Sequence, residues 1–230
     1  MIEIKNLKEA VINHQGESSD VNKFIAYIDS INKTDRNGKD LLFNMKSDQL
    51  LKLYIKYINV GIVLDGVNAV ITAYERVFIT WVGYKNKVLS VYPESEFDVQ
   101  LVRDGDMFQV AKQSGKVVYT HDISDPFSSN KGIIGAYCII KNKRGEALET
   151  LGLDDYDKMK QSAMMKSTWD KWASEFWLKS VIKRACKRHF NDIVEEIDKL
   201  DNQDYQHDED NSVSERQKLA ILDSYDGKDT

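Results

Sequence analysis

Residues 133–146 read IIGAYCIIKNKRGE. The first nine are dense in β-branched and aromatic residues, too few for a helix of ordinary length, and they run into a polar, glycine-containing cluster. That pattern predicts a strand over 133–141 closed by a turn at KNKRGE, with Lys141, Lys143 and Arg144 at its tip. Upstream lie further short runs of the same kind, at 75–82, 96–103, 107–111 and 116–121, separated by Gly, Asp, Ser and Asn. DGD at 104–106 and QSG at 113–115 are suited to hairpin turns. The middle of the chain therefore predicts a mostly antiparallel sheet.

Helical patterns flank it. Residues 18–33 carry Ser18, Ser19 and Asp20 as capping candidates, then Phe24, Ile25, Ile28 and Ile31 at helical spacing. The loop TDRNGKD (34–40) follows. Residues 46–59 place Leu50, Leu51, Tyr54, Ile55 and Ile58 on one stripe, and Gly61 ends the pattern. After the sheet, 153–165 predicts a short helix and 168–199 a long one. Residues 201–230 are polar and acidic and predict a flexible tail, within which SERQKLAILDSY (214–225) has an amphipathic pattern. The expected fold class is α+β: N-terminal helices, a central mostly antiparallel sheet, a long C-terminal helix and an acidic tail. The expected division is one domain over 1–200 and a tail over 201–230 that could engage a partner.

The chain has 230 residues, 42% of them hydrophobic, enough for one sizeable core. No secretory pattern opens it, no apolar run approaches the ~20 residues of a membrane span, and Cys138 and Cys186 make no C-x-x-C. A reducing cytoplasm and no membrane partner are the expectation.

The net charge of −5 averages over unlike parts. Residues 179–190 hold five basic residues and no acid: Lys179, Lys183, Arg184, Lys187 and Arg188. Residues 191–210 hold nine acids against Lys199, a net of −8, so the rest of the chain sums to +3. Local charge decides where a polyanion can sit. On a helical wheel, Trp169, Trp172, Ala173, Phe176 and Trp177 begin one face of the long helix. The five cations continue it. Val181, Ile182, Ala185, Cys186 and His189 fill the opposite arc and should face the core. Like charges at i, i+4 repel by a few tenths of a kcal/mol per pair, and a bound polyanion would relieve them while releasing counterions. Trp169, Trp172 and Trp177 at helical spacing are read as core; aromatics beside such a face could otherwise stack bases.

The order of these pieces resembles the RecT/Redβ family of phage single-strand DNA annealing proteins. Gly135, Tyr137 and Lys141 match a "G-x-Y-A-x-x-K" strand. Phe176, Lys179–Ser180, Ile182, Lys183 and Arg184 match a tryptophan-preceded "M-A-K-K-T-x-I-R-R" helix. Gly83, Tyr84 and Lys85 match "G-Y-K" within Val70–Lys85, Glu94, Phe97 and Asp98 match "E-x-D-x-F", and Gly61–Asp65 matches "G-L-x-L-(N/D)". The likeness covers roughly residues 60–190. It departs where NKVLSV alone separates Tyr84–Lys85 from YPESEF, which shortens the family's helix there. It departs again at Leu178–Lys179, which gives one cation for the family's two.

The resemblance implies a protein that coats single-stranded DNA and pairs complementary strands without ATP. It implies assembly into rings or helical filaments and a 5′→3′ exonuclease partner. Lys179, Lys183, Arg184, Lys187 and Arg188 would hold backbone, Lys141, Lys143 and Arg144 would extend the groove, and Tyr84 and Lys85 would lie near the DNA path. No catalytic residue, metal or cofactor is expected, because annealing makes no bond. One rival is a passive single-strand binder. Another is a metal-dependent nuclease using Glu94, Glu96 and Asp98, which otherwise read as a solvated strand face; His121 reads as a surface residue. The chain lacks G-x-x-x-x-G-K-[ST], H-E-x-x-H and G-x-S-x-G.

Overall fold

A computed structural model describes residues 3–32, 45–71, 77–113, 116–127, 132–163 and 166–202. The chain divides into two compact units, Met1–Ile79 with Glu195–Thr230, and Thr80–Val194.

In the first unit, α1 (Ile4–Gln15), α2 (Ser19–Ile31) and α3 (Ser47–Ile58) pack around Leu7, Val11, Phe24, Ile28, Leu50 and Tyr54. The Ser18 hydroxyl accepts from Val21 N at 3.2 Å and caps α2, as the sequence predicts. Gly61, at φ +77°, lets the chain leave α3, and its N–H donates to Ile58 O. A short antiparallel pair follows, β1 (Ala69–Ile71) with β2 (Val77–Ile79). A last helix, α8, spans 191–202. Its buried Asp201 accepts from Ile79 N at 3.1 Å, so residues 201 and 202 are helix rather than tail. The rest of the expected tail, with 214–225, lies outside the described residues, as does the 34–40 loop.

The second unit holds β3 (Glu96–Arg103), β4 (Met107–Gln113), β5 (Lys116–Asp122), β6 (Ile133–Asn142) and β7 (Gly145–Gly152). An antiparallel sheet in the order β3-β6-β7 puts the run quoted first in its centre, and β4-β5 pair separately. β6 is buried from Ala136 to Ile140 because both of its faces are covered. On one side α7 (Ala173–His189) lays Val181, Ile182, Ala185 and Cys186 toward the sheet. On the other, Tyr137, Ile139 and Val102 meet Phe108, Tyr119 and Leu148. A fully buried Val or Ile among them, such as Val181 or Ile139, contributes about 1.5–3 kcal/mol. The KNKRGE turn joins β6 to β7 with Asn142 opposite Gly145, whose φ of +119° suits glycine.

Several expectations are corrected. The strand expected over 75–82 stops at Ile79, and Trp81–Val91 is a helix, α4. The Thr80 hydroxyl caps it by accepting from Gly83 N at 3.2 Å, and Gly83, Tyr84 and Val88 bury at helical spacing. The β-branched residues before it read as strand because a cap is a single residue in a long apolar run. The 104–106 turn joins no ladder, since β3 pairs with β6 and β4 with β5. The latter pairing does fit a turn at 113–115, of which Gln113 ends β4 and 114–115 lie outside the described residues. The helix expected over 168–199 is three: α6 (Lys166–Lys171), α7 and α8, interrupted where Trp172 and Phe190 leave helical backbone geometry. The short helix expected before it is α5 (Leu153–Ser162).

Candidate nucleic-acid interface

The basic arc of α7 is divided by what lies beneath it. Lys179, Lys183 and Lys187 recur every four residues, so they form one row of about 6 Å spacing. The Lys183 and Lys187 ammonium groups lie 4.9 and 5.3 Å from the centre of the Tyr84 ring, and Lys179 Nζ lies 5.6 Å from that of Phe176. An ammonium over an aromatic face is attracted to the ring without losing its charge. Tyr84 itself is fully buried. It supports the lysines rather than offering a face to a base. Its neighbour Lys85 lies 5.1 Å from the Phe97 ring centre.

Arg184 and Arg188 sit one step around the helix and also bind a carboxylate of the sheet. Both donate to Glu149 Oε1 on β7 at 2.9 Å, and His189 Nε2 lies 3.1 Å from Glu149 Oε2. The Glu149 side chain is 3% exposed. A buried carboxylate needs such partners. Arg184 also donates to Asp155 of α5 at 2.6 Å. Burial works against the Arg184 charge, but the hydrogen bonds to Asp155 and Glu149 outweigh it and its pKa is raised. Asp155 is held below its usual value, chiefly by the hydrogen bond from Arg184. The two arginines fix the rotation of α7 on the sheet. Sequence reasoning missed Glu149, because a lone glutamate in an edge strand carries no signal of what lands on it.

The β6–β7 tip meets the end of α7. Arg144 pairs with Asp192 through Nη1 at 3.0 and 3.1 Å and lies 5.6 Å from the ring centres of Tyr92 and Phe190. Its pKa is raised, first by the hydrogen bond to Asp192. Lys143 lies 5.0 Å from the Tyr92 ring centre. Lys141 pairs with Glu146 at 3.5 Å, whose charge raises its pKa. Asp192, from the acidic stretch, does fold back on a cation.

The aromatic start of the arc is also divided. Trp177 is buried and stacked on Tyr156 at 4.1 Å, and Trp169 stacks on Phe176 at 4.5 Å. Trp172, read as core, is 54% exposed, because the chain leaves helical geometry there. His121, read as a surface residue, has a side chain only 5% exposed. Its Nε2 faces Asp106 at 3.4 Å and its Nδ1 faces the Tyr137 hydroxyl at 3.2 Å. The β4-β5 pair packs its base against Tyr137 and takes His121 in with it. Glu94, Glu96 and Asp98 are exposed, and among the described residues no group of three or more His, Cys, Asp or Glu is placed to hold a metal. No described helix is long and apolar enough to cross a membrane.

The RecT family model matches residues 84–221, more than half of the chain. The chain belongs to the RecT family. The match takes in α4 from Tyr84 onward, the β3-β6-β7 sheet and α7. The family is one of DNA recombination proteins that bind and anneal single-stranded DNA. No curated protein matches this RecT-family chain.

Proposed function

We propose that this RecT-family protein binds single-stranded DNA and anneals complementary strands without ATP, with the lysine row of α7 as the first contact to backbone. The observation that carries this reading is the row of lysines along α7. Lys179, Lys183 and Lys187 lie at helical spacing over aromatic rings, a contact that leaves an ammonium its charge toward a polyanion. Lys85, next to Tyr84 on α4 with its ammonium by the Phe97 ring, and Lys141, Lys143 and Arg144 at the β6–β7 tip extend the basic surface. Annealing requires neutralised phosphates so that two strands can approach, and bases left open for testing. Self-assembly into a ring or helical filament, an annealed duplex product, a 5′→3′ exonuclease partner and a cytoplasmic setting are parts of the same proposal.

The test mixes two complementary, dye-labelled oligonucleotides with the protein in the absence of nucleotide. Accelerated pairing, lost in the Lys179→Gln, Lys183→Gln, Lys187→Gln triple variant, supports the reading. Protection of each strand without faster pairing leaves a passive single-strand binder. Strand cleavage dependent on magnesium would replace it with a nuclease.

A further inference from the structure

We infer that Trp172 is a base-stacking residue, at a cleft where Arg103 and Lys171 receive the phosphate of an unpaired nucleotide. The inference rests on the single-strand binding proposed above and adds a site to it.

An exposed tryptophan needs a reason, since burying its large apolar area would stabilise the fold. The same region buries Trp177 against Tyr156 and packs Trp169 on Phe176, so apolar cover is at hand. Trp172 instead stands between α6 and α7 at φ −120°, ψ 37°, and lines an open cleft of about 350 Å³ together with Arg103, Ile133, Lys171 and Ser174. The two cations reach this cleft by separate devices. Lys171 lies beside Trp172 in sequence with its ammonium 5.6 Å from the ring centre. Arg103 ends β3 opposite Ile133, just past a bulge that skips Ile134 of β6, and lines the cleft with Ile133. Asp170, the acid at the cleft, is ion-paired to Lys160.

An aromatic wall with cations beside it matches a nucleobase joined to a phosphate. It matches an apolar protein surface less well, because docking one would bury two charges. The position also suits the lysine row. Phe176, Lys179, Lys183 and Lys187 succeed one another at intervals of three, four and four residues and share one face of α7 over about 17 Å, and Trp172 stands at the N-terminal end of that helix. A strand laid along the lysines would bring a base to Trp172 at the end of the path.

The experiment titrates a fluorescein-labelled oligo(dT) with the full-length protein and its Trp172→Ala and Trp172→Phe variants. It is joined by ultraviolet crosslinking to an oligonucleotide carrying 5-iododeoxyuridine. Loss of one stacked base, roughly 1–3 kcal/mol, predicts about 5- to 150-fold weaker binding for Trp172→Ala. Trp172→Phe should recover most of that loss, and the crosslinked peptide should contain Trp172. Unchanged affinity with no crosslink at Trp172, in a protein whose wild type binds, overturns this site and leaves the lysine row standing. A wild type that does not bind removes both. If Trp172→Ala instead changes the oligomer size seen by light scattering without DNA, while affinity holds, the cleft is a contact between copies and the inference is overturned.

Discussion

Arg184 donates its Nε–H to Glu149 at 2.9 Å, reaching from α7 to a carboxylate that is 3% exposed. The neighbouring Lys183 lies instead over the Tyr84 ring. Two adjacent cations on one helix therefore predict opposite phenotypes. Arg184→Glu would set a second carboxylate against the buried Glu149 and leave it only Arg188 and His189, at a cost of about 1–3 kcal/mol. It should lower the melting temperature by several degrees. Lys183→Glu, which gives up the contact with the Tyr84 ring, should cost less stability than Arg184→Glu and weaken binding to single-stranded DNA. Thermal melts and anisotropy titrations on both variants check this; equal loss of stability in the two would show that Lys183 is also part of the scaffold.

The lysine row makes a prediction in salt. Each phosphate contact on a single strand contributes about 0.7 to the slope of log affinity against log salt. Replacing Lys179, Lys183 and Lys187 together by Gln should flatten that slope by about 2, whatever the oligonucleotide sequence. A slope that does not change would place the phosphate path elsewhere, with the β6–β7 tip at Lys143 as the next candidate.

How much of this was legible in the sequence follows from the range of the interactions involved. The β6 strand, the capped α2 and the apolar arc of α7 were readable because each depends on residues a few positions apart. Val181, Ile182, Ala185 and Cys186 bury as their spacing predicts. The division of the cations was not readable. Lys183 and Arg184 differ by one step on the helix, and what separates them is Glu149, 35 positions away from Arg184. The same limit applies to His121, buried through Asp106 and Tyr137 at separations of 15 and 16 residues. Thr80 shows a different failure. A one-residue cap sits inside a run of strand formers, and local propensity there points the wrong way. Trp172 was assigned to the core by its periodicity, and only the break in the helix exposes it.

Asp106 predicts a response to acid. Burial alone would raise its carboxyl, but hydrogen bonds from the backbone N–H groups of Arg103 and Ser124, from His121 and from the Ser124 hydroxyl bring it down to about 2. A carboxyl depressed in the folded state stabilises the fold fully above its unfolded value of about 4, and that contribution is lost as pH falls toward 2. Asp106→Asn should therefore destabilise the protein at neutral pH, by about 1–3 kcal/mol for the donors left poorly satisfied. It should also weaken the pH dependence of stability between 4 and 2. Amide exchange would show the loss first in β4 and β5, whose base Asp106 secures through His121 and Ser124. Identical acid unfolding curves for variant and wild type would remove this role.

Cys138 and Cys186 supply a probe of whether α7 leaves the sheet. Both thiols are buried and unpaired by a disulfide, and burial pushes each up to about 12. The thiolate is the nucleophile, so at pH 8.5 an alkylating reagent should meet almost none of it in the folded chain. In denaturant two equivalents should react promptly. The native rate then reports how often the helix opens, since Cys186 lies on its core face and Cys138 on the strand below. If DNA grips only the outer lysine row, saturation with an oligonucleotide should slow alkylation or leave it unchanged. Faster alkylation on binding would mean that α7 lifts from β6 to take the strand, and the row would then be one side of a groove that opens.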